Sequence, residues 1–410
     1  MKRIISTVSS VATRNSDVQV VTLDPPSKHP AICYTRLVGE VSPGDIVAVN
    51  TTATDLDLGT GGYDFVICKL DGKGAIEDDP SDPDGHIMKL RYTPLQRDVQ
   101  CVEEVGSPFH DLLRNVNDLL EMPVVCCGLH SQVPLVAAGI RAVFPSASIV
   151  YCMTDEAALL AWFSNIVEQS IATGLVNLCI TCGQAMGGNA EAVSLHSGLL
   201  ASKYAFGADV AIVSMGPGIP GTGTAFGHGG VSVAESVNAA AALGGTPIAV
   251  IRASQADSRD RHHGVSHHFL EAMGRLALAR AKIFMPSEID GDIAATVNRQ
   301  LRDSGILEKH EAISVDDREI ELDMRGMKVT TMGRGPEEDP LFFRMAACAG
   351  IGAGRLALEM RSEEVAKAEE SPDGDGPVNL MEPRMSACSS GGSSLDDPAS
   401  PGKSDENGGN

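Results

Sequence analysis

From about residue 106 to residue 302, short apolar runs alternate with stretches of helical period, and no other feature narrows the fold as far. Val124–Gly128 precedes a helical pattern at Val133–Val143, and Ser148–Met153 precedes one at Asp155–Thr173. Val176–Cys182 leads to Gly188–Phe206, Asp209–Met215 to Val231–Leu243, and Thr246–Arg252 to Ser266–Lys282. Strands covered on both faces read as unbroken apolar runs, as Val210-Ala211-Ile212-Val213 and Pro247-Ile248-Ala249-Val250-Ile251 do. The pattern predicts an α/β domain over 106–310, a parallel, Rossmann-like sheet with helices on both faces. Ser107-Pro108 is an N-cap followed by proline at the first helical position, which predicts a helix running to about Glu121. Ile289–Arg302 reads as a further helix. Short strands at Ala312–Val315, Glu319–Leu322 and Lys328–Met332 and a helix from Pro340 to about Glu370 complete the fold over 311–370.

Residues 1–105 have a different texture. Ile4–Val8, Val18–Leu23, Ile32–Val38, Asp45–Asn50, Tyr63–Leu70 and Ile87–Thr93 are rich in β-branched residues and separated by turn signals such as Ser42-Pro43-Gly44-Asp45. A small N-terminal all-β barrel or sandwich is expected. Asp71–Gly85 carries six acids and one lysine and reads as an exposed excursion between strands. The stretch 371–410, acidic and without periodicity, reads as a disordered tail.

The net charge of −22 argues against nucleic-acid or anionic-membrane partners. No run of about 18 uninterrupted apolar residues is present, so no spanning helix is expected. Ten cysteines sit mostly inside apolar runs, as free thiols of a reducing compartment would, and a cytoplasmic protein is expected. A homo-oligomer is left open.

In an open parallel sheet, ligands bind outside the carboxyl ends of the strands. The polar residues of this chain gather at those predicted ends. The first strand ends in Gly128-Leu129-His130-Ser131-Gln132, the second in Thr154-Asp155-Glu156, and the third in Cys182-Gly183-Gln184. The fourth empties into Gly216-Pro217-Gly218-Ile219-Pro220-Gly221-Thr222-Gly223-Thr224 and on to His228. The fifth ends in Arg252 and continues through Asp257, Arg259, Asp260, Arg261, His262 and His263 to Ser266, His267 and His268. Six of the 11 histidines fall in these connections, more than general loop polarity explains.

Gly216, Gly218 and Gly221 match G-x-G-x-x-G by letter, but Pro220 stands where a helix should begin and Arg252 where a ribose-binding acid should be. No convincing nucleotide-cofactor motif is read here. The loop is either a structural turn or a cradle in which Gly216, Gly218, Gly221, Thr222, Gly223 and Thr224 hold an anion, assisted by His130, Ser131, Gln184 and Arg252. Ser266 is a plausible N-cap for a helix carrying His267 and His268, whose rings would stay neutral there. His267, His268, His263 and Asp257 are the candidate catalytic residues. A divalent metal on His262, His263, His267, Asp257 and Asp260 is the competing reading. Cys179 reads as core; Cys182, at a strand end, is a weaker nucleophile candidate.

The chain also resembles a bacterial family known as a domain of unknown function, of the DUF3866 type, from about Arg3 to about Met360. The likeness rests on Val49-Asn50-Thr51-Thr52-Ala53 with Leu58-Gly59-Thr60-Gly61-Gly62, and on Gly85-His86-Ile87-Met88-Lys89-Leu90-Arg91-Tyr92-Thr93-Pro94-Leu95-Gln96. Gly128-Leu129-His130-Ser131, Ile180-Thr181-Cys182-Gly183, Met215-Gly216-Pro217-Gly218, Gly221-Thr222-Gly223-Thr224 and Ser266-His267-His268 complete it. The resemblance implies an intracellular bacterial protein and brings no activity, substrate or catalytic residues with it. It draws attention to the β domain, where Lys89 and Arg91 alternate on one strand; that domain is expected to lean over the sheet's carboxyl edge and bring Gly61 near Gly218.

Together these features point to an enzyme, a hydrolase or group transferase, acting on a small anionic or phosphorylated metabolite. The alternative is a metabolite-binding regulatory or scaffold protein with the same pocket and no catalytic step.

Overall fold

A computed structural model describes residues 1–57, 62–70 and 85–370. The chain opens with a closed five-stranded barrel in the order β1-β2-β3-β5-β4. Its strands are β1 (Arg3–Asn15), β2 (Val18–Asp24), β3 (Ala31–Tyr34), β4 (Ile46–Asn50) and β5 (Asp64–Lys69), with short helices α1 (Thr35–Val38) and α2 (Thr52–Asp55) between them. β1 closes the barrel because its first half pairs with β4 and its second with β2, the register shifting between Val8 and Ser10. A bulge of this kind bends a long strand and leaves no free edge. Val8, Val21, Leu23, Val47, Val49 and Val66 fill the interior.

A hairpin, β6 (Ile87–Lys89) and β7 (Arg97–Val99), joins the barrel to the second domain. Lys89 carries that join. Its ammonium is fully buried and donates to Thr181 O at 3.1 Å, Ala185 O at 2.5 Å and Glu191 Oε2 at 2.6 Å. Arg91 points to solvent.

The second domain is an eight-stranded parallel sheet in the order β11-β10-β9-β12-β8-β13-β16-β17. The strands are β8 (Pro123–Cys126), β9 (Ile149–Thr154), β10 (Leu178–Cys182), β11 (Ala190–Ala192), β12 (Val210–Met215), β13 (Thr246–Ala249), β16 (Lys282–Pro286) and β17 (Glu311–Val315). Two further two-residue strands, β14 (Ala253–Ser254) and β15 (Gly264–Val265), pair outside the sheet. After a single turn, α3 (His110–Leu113), helices cover both faces. On one face lie α4 (Val133–Val143), α5 (Asn165–Ala172) and most of the buried side of α11 (Pro340–Glu370). On the other lie α6 (Leu195–Tyr204), α7 (Ser232–Ala242), α8 (His267–Glu271), α9 (Ile293–Asp303) and α10 (Ile306–Lys309). The Rossmann-like arrangement expected from the alternation is therefore the fold.

Several boundaries differ from expectation. The segment after Ser107-Pro108 makes only the turn α3. After β9 the chain makes only a 3₁₀ turn at Ala161–Phe163 before Ser164 caps α5, and after β10 it adds the edge strand β11 before Ser194 caps α6. The pattern from Ser266 holds five α-helical residues and a π-helical turn at 272–276, then leaves the helix, and β16, which begins where that pattern was expected to end, was not anticipated. Glu319–Leu322 and Lys328–Met332 are not strands; Ile320, Leu322 and Val329 pack against the core as loop. The acidic excursion over 71–84 and the tail from 371 lie outside the described residues.

Helix α11 includes a stretch, Pro340–Lys367, long and apolar enough to cross a membrane, but 78% of its apolar window is buried in this fold. Glycines let it lie against α4: a Cβ on Gly350 would come within 2.1 Å of Val136 O, and one on Gly139 within 2.4 Å of Ala347 O. Packing against α4 and the sheet accounts for its apolarity.

The barrel rests on the carboxyl-edge loop that follows β9. Ile32, Tyr34 and Phe65 pack with Leu160, Trp162 and Phe163, and Arg14 Nη2 donates to Phe163 O at 3.1 Å. A Cβ on Gly187, in the loop after β10, would fall 2.5 Å from the Trp162 ring. The barrel thus leans over the β9–β10 side of the edge. Gly61, expected near Gly218, lies outside the described residues.

Candidate functional site

β8 lies between β12 and β13, yet its connection enters α4 on one face while theirs enter α7 and α8 on the other. Such a divergence opens a crevice at the carboxyl edge. Gln132 ties the ends of β8 and β13 together: its Oε1 accepts from Gly128 N at 3.0 Å and Leu129 N at 3.1 Å, and its Nε2 donates to Ile251 O at 3.3 Å.

Four imidazoles meet where the neighbouring connections come together, His228 from the β12 loop and His262, His267 and His268 from the β13 loop. His228 and His268 stack with ring centroids 3.8 Å apart, and His267 lies 4.4 Å from His268 and 5.4 Å from His228. His262 is 5.0 Å from His268 and 5.2 Å from His267. The β13 loop is held in place by the β14–β15 pairing and by Ser266, whose hydroxyl caps α8 and meets His262 Nδ1 at 2.7 Å. The β12 loop is drawn in by its glycines. A Cβ on Gly230 would lie 2.9 Å from His268 Cβ and 3.1 Å from His228 Nδ1. One on Gly221 would rest 3.5 Å from His268 Nε2. The two loops share one mouth.

Burial first, and the neighbouring rings and guanidiniums next, push all four imidazoles below the usual histidine range, His262 to about 3. The cluster is neutral, so each ring keeps one nitrogen lone pair. His228 Nε2 lies 2.9 Å from Ala225 O, and only N–H can face a carbonyl, so its lone pair is on Nδ1. That Nδ1 and His267 Nε2 are buried with no hydrogen-bond partner. Arg252, almost fully buried, donates through Nη1 to His268 Nδ1 at 3.1 Å. Arg261, exposed at the rim, approaches His262 Nε2 at 3.4 Å and stands 4.0 Å from where a Cβ on Gly223 would be.

The other candidates are dispersed. His263 is exposed and takes no part in the ring contacts; its carbonyl accepts from Gln300 Nε2 at 3.1 Å. Asp260 is exposed. Asp257 is buried but clipped by Arg259 at 2.7 Å, with Arg334 at 3.6 Å, and the hydrogen bonds from Arg259 hold its carboxyl well below the usual range. His130 lies on the α4 side, bonded to Tyr151 Oη at 3.0 Å and Ser164 Oγ at 2.6 Å. Ser131, next to it, is half-buried. Gln184 donates its backbone N–H to Asp155 Oδ2 on the β9–β10 side. Gly216 is required by packing, since a Cβ would meet Ala158 O at 2.3 Å. Gly218 and Gly223 have positive φ, 92° and 78°, and serve the turn.

The hydroxyls of Thr222 and Thr224 face each other at 2.9 Å, and Thr222 Oγ1 also donates to Gly227 O. With the Thr222 and Gly229 amides also spent inside the loop, it is a self-closed flap over the imidazoles more than an open cradle. Cys182 is buried and its thiol is pushed up by its Cys152 neighbour and by burial, which removes it as a nucleophile. Sequence reasoning placed His228 at the mouth but not among the ligand candidates, although it is the one histidine of the glycine loop. It missed Asp339, fully buried just before α11, which accepts from Ser254 Oγ at 2.6 Å and Arg334 at 3.2 Å and ties down the β13 loop.

Fold and site together define a two-domain α/β protein in which a β-barrel precedes a parallel sheet whose central carboxyl edge carries a neutral histidine cluster. The chain belongs to the family described as "Protein of unknown function (DUF3866)", whose model matches residues 30–350 and so spans every residue of the cluster. No curated protein and no solved structure matches it.

Proposed function

We propose that this protein is an enzyme, a hydrolase or group transferase, that acts on a small anionic or phosphorylated metabolite at the mouth formed by the β12 and β13 loops. The observation that carries this reading is the pairing of opposite tendencies in one place. His228 Nδ1 and His267 Nε2 are buried without partners, while the Arg252 and Arg261 guanidiniums stand on the other two rings of the cluster, His268 and His262. Ring nitrogens of this kind form a basic pole that turns water or a substrate hydroxyl into a nucleophile. Guanidiniums hold a phosphate or carboxylate and offset the charge that develops on it. The self-closed β12 loop would screen the reacting centre from bulk water. Among the described residues nine free, mostly buried thiols suit a reducing cytoplasm.

The test is a panel of phosphomonoester, carboxylic-ester and deaminase substrates, run on the wild type and on His267→Ala, with melting curves recorded alongside. Turnover of one class that falls in His267→Ala supports the proposal. An inert protein whose melting temperature still rises with phosphate or carboxylate ligands would replace it with the binding-protein reading.

A further inference from the structure

We propose that His228, His267 and His268 form a binding site for one divalent first-row transition ion of the zinc class. The inference deepens the functional reading above, for such an ion would supply the water-activating pole, but the geometry stands without it. One ring nitrogen from each of the three histidines lies within 4.8 Å of the other two. Zn–N bonds of roughly 2.0–2.1 Å place tetrahedral ligands within reach of that spacing after a small inward shift.

Three further observations point the same way. His228 is 5% exposed, and its Nδ1 ends in the cluster with no partner, an unusual cost for a native interior. Its other nitrogen is pinned by Ala225 O, the outer-shell anchor that orients a metal-binding histidine. Gly230 is bare where a Cβ would press on His228 Nδ1 and His268. The donor set is three neutral imidazoles with no carboxylate, which selects zinc, cobalt, nickel, copper or iron over magnesium and calcium. Three protein ligands leave a position open for water or substrate. The exposed Arg261 beside it would favour an anionic one.

Arg252 makes the idea specific. A guanidinium only donates, so in this arrangement His268 Nδ1 is a lone pair and its proton sits on Nε2. Binding through Nδ1 displaces the guanidinium. Binding through Nε2 moves the proton onto Nδ1, where it faces the guanidinium. Either way the Arg252–His268 bond is given up, and Arg252 competes with the ion.

The full chain, stripped with a chelator, is titrated with Co²⁺ while visible ligand-field absorption is read, and with Zn²⁺ against a chromophoric chelator. One equivalent per chain is expected, weakened at least ~10-fold in His267→Ala and in His228→Asn. His263→Ala, outside the cluster, should bind as the wild type does, and Arg252→Met as tightly or more tightly. Circular-dichroism melts identify any variant that fails to fold; should His228→Asn do so, the half-exposed His267 decides. Absence of stoichiometric uptake, or uptake unchanged in His267→Ala, overturns the site. Absence of uptake by a chain that still turns over substrate overturns the site while leaving the enzyme reading intact. One bound equivalent on a catalytically inert chain does the reverse.

Discussion

His228 and His268 arrive from different crossings of the sheet and stack with ring centroids 3.8 Å apart and planes 6° from parallel. Forty residues separate them in the chain, so this contact is the point at which the β12 and β13 loops become one site. Each loop uses its own device to reach it. The β12 loop turns on glycines and folds onto its own carbonyls; the β13 loop is clipped by a two-rung ladder and by Asp339.

Gly230→Ala tests how tightly that junction is packed. The added methyl would sit 2.9 Å from His268 Cβ and 3.1 Å from His228 Nδ1. Both neighbours are buried, so the strain falls on the stack itself. A loss of about 1–3 kcal/mol is expected in urea denaturation, as for overpacking elsewhere. Co²⁺ absorption should weaken in the same variant, whereas a methyl tolerated without either effect would mean the stack is looser than described.

Lys89→Met tests the join between hairpin and sheet. It leaves Glu191, whose carboxyl burial already pushes above the usual range, without its cation. Breaking a buried pair on one side costs about 3–5 kcal/mol. The double variant Lys89→Met/Glu191→Gln should recover part of that loss. A double variant no better than the single one would show that the three-way ammonium contact, not the charge, holds the hairpin.

Acid should weaken the fold through His130. Burial lowers this ring to about 4, while in the unfolded chain it protonates near 6.5. Between those values the unfolded state takes up more protons. The contribution is complete above about pH 6.5 and is lost as pH falls toward 4, amounting to about 3 kcal/mol. His130→Gln, which cannot charge, should therefore show a flatter decline in stability on acidification. Equal slopes for the two proteins would remove His130 as the cause.

Much of this architecture is legible in the residues. β8, α4, β12 and α7 follow from apolar runs set against helical period, because each is buried along its whole length or one whole side. β11 and β16 are not legible that way. β11 is a three-residue edge strand that exists through pairing with β10, and β16 follows a π-turn that keeps helical spacing in the letters while ending the helix in space. The site divides similarly. His267 and His268 stand out beside Ser266, whereas the alternation of Lys89 with Arg91 is not realised, because β6 ends at Lys89 and Arg91 lies exposed in the turn beyond it. Asp339 and Arg334 lie some 80 residues from the loop they anchor, and only tertiary contact reveals them. His130 looked functional because its strand-end position matched the rule for ligand sites, but both of its nitrogens are taken by Tyr151 and Ser164.

The most direct measurement is kcat/KM of the wild type and of His267→Ala, on whichever ester the protein turns over best, at equal folded fraction. Water activation at the two unpartnered ring nitrogens predicts a fall of about 10²-fold or more in the variant. Equal values in the two proteins would contradict the account, for they would place the chemistry somewhere other than the junction of the β12 and β13 loops.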